Sequence, residues 1–160
     1  IMPSLVGSEM CIRDRSCLIA EVALYAKLRD LTLVDLLHEI YERFGIYQET
    51  QLSLWFPEEG SQMKKFMQKA RTSFPKKICG IAVTTWLDYK EEIVGFPKSD
   101  VLSIRLGDQT KIVIRPSGTE PKIKIYIMAS EPYITSVEEA ITICQNKISM
   151  LLNEIKTALI

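Results

Sequence analysis

Apolar and polar positions along this chain change their period several times, and each change marks an element. From Cys17 to Leu28, Ala, Leu, Ile and Val crowd together with few charges. That pattern predicts a mostly buried helix that needs other structure to cover it. Arg29-Asp30 interrupts the run, and Thr32 is placed to cap a second helix. In that helix Leu33, Leu36, Leu37, Ile40, Tyr41 and Phe44 recur at helical spacing until Gly45 supplies a stop. Gln51 to Phe56 alternates and is rich in β formers, which predicts a strand ended by Pro57. Ser61 to Ser73 returns to a helical period with Met63, Phe66, Met67 and Ala70 on one face, until Pro75 breaks it.

Four further strands are expected at Ile78 to Tyr89, Val101 to Leu106, Lys111 to Arg115 and Lys122 to Met128, with a tight hairpin at Gly107-Asp108. Ser136 and Glu139 form a capping box. After it Val137, Ile141, Cys144, Ile148, Leu151, Ile155 and Leu159 trace one long amphipathic helix. From residue 51 the order is therefore β-α-β-β-β-β-α, which argues for an α+β domain with both helices on one face of an antiparallel sheet, preceded by two helices.

Composition narrows the function classes. The chain's 160 residues are 47% hydrophobic, enough for one real core, and 20 basic residues balance 20 acidic ones. Nothing draws the whole molecule to nucleic acid or to an anionic membrane, so an anion site must be local. No apolar run approaches the roughly 18–20 residues of a membrane span. Cys11, Cys17, Cys79 and Cys144 form no CxxC pair. The last three, among apolar neighbours, read as small core residues in a reducing compartment. A cytoplasmic location is the expectation. Residues 1–16 show neither period and read as a non-native leader, with a disordered natural terminus as the alternative.

Local chemistry concentrates in Arg115-Pro-Ser-Gly-Thr-Glu-Pro-Lys122, set between two strand-like runs. Gly118 lets the backbone take a positive φ and approach a ligand, and Ser117 and Thr119 add short hydroxyl donors. Arg115 enters the loop, while Lys122 and Lys124 leave it, so charge-assisted hydrogen bonds to a phosphate are available on both sides. The stretch could also be an ordinary strand connection, since Pro, Ser and Gly are turn residues. It is not a nucleotide P-loop, because GxxxxGK[ST] is absent and a strand follows in the pattern. In an alternating strand Lys122, Lys124 and Tyr126 share one face, and Ile123, Ile125 and Ile127 the other.

Elsewhere the candidates are weak. His38 stands among Asp35, Glu39 and Glu42 with no second histidine to help bind a metal. Glu58-Glu59 and Glu91-Glu92 are adjacent pairs that point apart in extended chain, so neither supports acid/base catalysis. Trp55 and Trp86 read as core or edge residues of strands. No catalytic residue and no metal ligand is assigned.

The run from Arg115 to Lys124 resembles the phosphate-binding loop in the fourth, C-terminal domain of the alpha-D-phosphohexomutases, the phosphoglucomutases and phosphomannomutases. Phe96-Pro-Lys-Ser-Asp100 with Val101 to Leu106 resembles the lead-in to that loop. Leu18 to Tyr47 resembles the last helices of the family's third domain. The resemblance implies residues 17–47 as the end of the preceding domain and residues 51–160 as a complete fourth domain with a fold similar to the TATA-binding protein. It implies Arg115, Ser117, Gly118, Thr119 and Lys124 as substrate-phosphate ligands, and a lid that serves an intramolecular phosphotransferase interconverting hexose 1-phosphate and hexose 6-phosphate. The family's phosphoserine nucleophile, its magnesium loop and its sugar-binding Gly-Glu-Glu loop lie in preceding domains and do not occur here. Mg2+ and a hexose 1,6-bisphosphate intermediate are therefore expected only in the whole enzyme, and the fragment alone is expected to be inactive. The partners implied are a phosphosugar and the missing N-terminal domains, with neither nucleic acid nor membrane. The alternative is a stand-alone, non-catalytic phosphosugar-binding module, against which the uncovered apolar helix at 17–28 counts.

Overall fold

Asp30 and Gly45 punctuate the first part of the chain. In the computed structural model, which describes residues 3–57, 61–131 and 136–159 and only the backbone of residues 3–13, α1 spans Pro3–Lys27 and α2 spans Leu33–Phe44. The Leu31 N–H donates to the Ala26 carbonyl and the Asp30 N–H to that of Lys27, with Asp30 at φ 54°. This left-handed Schellman stop satisfies carbonyls that the helix end would orphan. Thr32 then opens α2 as expected: its Oγ1 accepts from the Asp35 N–H at 3.1 Å, and Asp35 Oδ2 accepts from the Thr32 N–H at 2.8 Å. Gly45, at φ 88°, ends it.

Two sequence expectations change in this unit, residues 1–44. The backbone of residues 3–16 is helical and continuous with the apolar run after it, although its own sequence carries no period. Extending an existing helix gains one hydrogen bond per residue without a new nucleus, so the run can propagate backward. Cys17 is exposed, not a core residue. So are Leu18, Leu24 and Leu28 of α1 and Leu33, Val34, Leu37, Ile40 and Phe44 of α2.

Residues 45–160 form the second unit. Its strands are β1 Ile46–Trp55, β2 Lys77–Ile78, β3 Ile81–Asp88, β4 Leu102–Leu106, β5 Lys111–Pro116 and β6 Lys122–Glu131, with α3 Ser61–Thr72 and α4 Val137–Leu159. The antiparallel sheet runs in the order β1-β6-β5-β4-β3-β2. The α+β class and the antiparallel sheet agree with the sequence reading, with one strand more. Cys79 and Gly80, at φ 49° and 77°, fold the expected strand 78–89 into a hairpin. The Cys79 N–H donates to Glu154 Oε2 of α4 at 2.6 Å, a tertiary contact no local pattern announces. β1 also begins earlier than expected, because Gln48 to Gln51 pair along β6 despite their polarity.

Alternation sets the core. Ile112 and Ile114 of β5, Ile123, Ile125 and Ile127 of β6, and Leu102, Ile104 and Leu106 of β4 are all fully buried. Burial of one such side chain favours folding by roughly 1.5–3 kcal/mol. α4 packs over β1, β6 and β2 and touches α3, and it buries Cys144, Ile148, Leu151 and Ile155. Its start is fixed by the Glu139 N–H donating to Ser136 Oγ. Lys147 reaches back to Asp108 Oδ2 at 3.0 Å, to the Ser130 carbonyl at 3.2 Å and to Glu131. In the β4–β5 turn the left-handed residue is Gln109, at φ 71°, beyond the expected Gly107-Asp108 pair. Burial, and after it the Glu154 hydrogen bond, pushes the Cys79 thiol up to about 11, so it stays protonated and unreactive. Among the described residues no helix is long and apolar enough to cross a membrane.

Candidate functional site

The loop joins two strands inside the sheet. β5 and β6 are inner strands, each hydrogen-bonded on both sides, and residues 117–121 join them. The Ser117 N–H donates to the Lys122 carbonyl at 2.8 Å and the Lys122 N–H to that of Glu120 at 2.8 Å, closing the base of the loop. The Phe56 N–H, just past β1, donates to the Pro121 carbonyl at 2.8 Å and ties the second half of the loop to the sheet edge. Below Pro116, a cavity of about 280 Å³ is lined by Met63, Lys64 and Met67 of α3 and by Asp100. Asp100 is held in turn by Arg71, which also binds Asp88 at 2.7 Å. The segment before β4 and the end of β5 therefore both line the cavity beside α3.

The sheet register brings the expected cations together. On the face away from the buried isoleucines, Arg115 lies directly opposite Lys124, with Ser53 of β1 opposite Lys124 on its other side. Arg115 is exposed and its guanidinium lies 5.7 Å from the centre of the Tyr126 ring. Among the described residues neither Arg115 nor Lys124 forms an ion pair. Like charges directly opposite in a ladder repel, so the pair favours an anion between or above them. Gly118 and Thr119 are exposed and Ser117 is half-buried.

Two details differ from the sequence reading. Gly118 is not in the left-handed region. What glycine provides is space: a Cβ there would meet nothing within 4 Å, so the backbone face is open to solvent. Lys122 is not free for a ligand either, since its ammonium contacts Glu120 Oε2 at 2.6 Å and lies 4.5 Å from the centre of the Trp55 ring. Sequence reasoning missed Glu120 and Trp55 as partners of Lys122. The register Trp55–Lys122 requires knowing which strands pair.

The weak candidates stay apart. His38 is half-buried on α2, Glu91 and Glu92 lie in an exposed turn, and Trp86 packs on Phe74 with ring centres 5.3 Å apart. Glu58-Glu59 lies outside the described residues. Among the described residues no group of three or more His, Cys, Asp or Glu converges as a cation site.

An antiparallel sheet with a cation-flanked Ser-Gly-Thr loop between two inner strands is the arrangement that the resemblance to the phosphohexomutases leads one to expect. The comparisons with known proteins agree. Over 154 residues the chain is 34% identical to a phosphoglucomutase of Staphylococcus aureus (strain bovine RF122 / ET3-1), a match that covers 84% of this chain and 27% of that protein. It is 32% identical over 123 residues to a probable phosphomannomutase of Haemophilus influenzae, covering 74% of this chain and 24% of that one. Among solved structures, the open form of pp63/parafusin, a phosphoglucomutase of Paramecium, superposes with a TM-score of 0.51 over 76% of this chain and 22% of that chain; at 20% identity this likeness concerns the fold. No family model matches. The chain is related to the phosphohexomutases and spans about a quarter of the length of the curated relatives it matches.

Proposed function

We propose that this chain is the C-terminal part of a phosphohexomutase, an intramolecular phosphotransferase that interconverts hexose 1-phosphate and hexose 6-phosphate, and that its loop holds the substrate phosphate that is not being transferred. The observation that carries this reading is the Arg115–Lys124 pair, two cations in direct opposition without a carboxylate partner among the described residues. Arg115 would grip two phosphate oxygens with its planar fork, and Lys124 would add a point charge beside it. Ser117 and Thr119 would donate their hydroxyls, and the bare Gly118 would let the phosphate approach the backbone. Binding energy collected on the non-reacting phosphate orients the sugar and helps draw the loop-bearing domain over it as a lid, which lowers the barrier at the distant reacting end.

The chemistry of transfer is assigned to the preceding domains. Mg2+, which would stabilise charge on the transferring phosphoryl group, does not fit the residues present, given the lack of a converging ligand group among those described. The hexose 1,6-bisphosphate intermediate likewise belongs to the complete active site, so the chain alone is expected to be inactive. The exposed apolar faces of α1 and α2 favour a part of a larger enzyme over a stand-alone binding module.

In the complete enzyme, Arg115→Ala and Thr119→Ala should each raise KM for glucose 1-phosphate, by about 10–100-fold for the arginine. Turnover should fall less. Steady-state kinetics checks this, and an unchanged KM in both variants would contradict the assignment.

A further inference from the structure

Lys122 leaves the loop as a third cation, yet its surroundings differ from those of Arg115 and Lys124. Its side chain is only 13% exposed, whereas that of Glu120 is 45% exposed. The ammonium is held between Glu120 Oε2, at 2.6 Å, and the Trp55 ring, at 4.5 Å from its centre. Trp55 faces Lys122 across the β1–β6 ladder, and the next residue, Phe56, donates its N–H to the Pro121 carbonyl. One tryptophan on the sheet edge and one loop carboxylate thus both contact the Lys122 ammonium.

A carboxylate inside a phosphate-binding loop is at first sight an error, because it repels the ligand. Paired with Lys122 it contributes little net charge, and a phosphate above the loop meets the field of Arg115 and Lys124. We infer that Lys122 is a positioning residue and not a phosphate ligand: the Glu120–Lys122–Trp55 stack is a strut that holds Ser117, Gly118 and Thr119 in their binding geometry before the ligand arrives. Preorganisation of this kind removes the ordering cost of a flexible loop from the binding step. The inference rests on the phosphate-binding reading of the loop.

The sign of one substitution separates the strut from simple electrostatics. Glu120→Gln deletes a negative charge beside the anion site, so charge alone predicts tighter binding of inorganic phosphate by the 160-residue chain. The strut predicts weaker binding, about three- to tenfold, because Lys122 is released and the loop loses order. Lys122→Arg, which can still stack on Trp55 and pair with Glu120, should keep near wild-type affinity, whereas Lys122→Met should not. The accompanying readout needs no ligand. Backbone 15N relaxation of the free chain should show Ser117, Gly118 and Thr119 rigid in the wild type and in Lys122→Arg, and mobile in Glu120→Gln.

Wild-type loop order in Glu120→Gln, or phosphate binding that is unchanged or tighter, overturns the strut. If wild-type protein takes up no phosphate at millimolar concentration, the phosphate reading of the loop fails instead, and the relaxation data alone still decide whether the stack orders the loop.

Discussion

Arg115 and Lys124, with Ser117 and Thr119 between them, make this loop a candidate anion site by residue type, although Pro, Ser and Gly equally suit an ordinary strand connection. The direct opposition of the two cations depends on the β5–β6 register, which the alternation of Ile123, Ile125 and Ile127 fixes once a core face exists. Lys122 could not be read in the same way. Its partner Trp55 lies on a strand far away in sequence, and a lysine bound to a carboxylate looks in sequence like a free one. Backbone conformation was the least legible property: the glycine of the loop is not left-handed, while Cys79, Asp30 and Gln109 are. Gly80 offers a direct check, since its φ of 77° disfavours any side chain even though a Cβ would touch nothing within 4 Å. Gly80→Ala should destabilise the protein by about 1 kcal/mol in chemical denaturation, and Cys79→Gly, which relieves the same cost at φ 49°, should be neutral or stabilising.

Among the elements, those with strong periodicity and a cap were foreseeable. α2 and α4 start at Thr32 and Ser136 because those hydroxyls satisfy helix N–H groups, and the apolar stripes that follow need no tertiary information. The β2–β3 hairpin escaped notice because Cys79-Gly80 is not one of the usual left-handed turn pairs and is stabilised by Glu154 of α4. The tie between α3 and the strand ends was also hidden. Arg71, with its side chain 14% exposed, holds Asp88 and Asp100 together. Burial alone would raise the Asp88 carboxyl, but the hydrogen bond from Arg71, the Lys90 N–H and the two cationic charges outweigh it and keep Asp88 below the usual carboxylate range. A depressed folded pKa gives stability that is complete above the unfolded value of about 4 and is lost as pH falls through the folded one. Arg71→Met should therefore cost about 2–4 kcal/mol near neutral pH by leaving a half-buried carboxylate without its guanidinium partner. The difference from wild type should shrink below about pH 4, as Asp88 takes up its proton. Urea titrations at pH 7 and about pH 3 test this, and an equal cost at both would contradict the pairing.

For the molecule as a whole, the division into residues 1–44 and 45–160 separates a unit rich in exposed apolar surface from one with a closed core. The order of elements from the first strand onward was legible because the chain alternates cleanly between the two periods. The six-strand count and the sheet order were not, since they follow from pairing partners. The central claim is that the molecule presents a preformed phosphate grip on the open side of the loop between two inner strands. The most direct measurement is a titration of the 15N-labelled 160-residue chain with glucose 1-phosphate, followed residue by residue. Shifts confined to Arg115, Ser117, Gly118, Thr119 and Lys124, saturable and abolished by Arg115→Ala, are predicted; saturable shifts centred elsewhere, or none at millimolar ligand, would contradict the account.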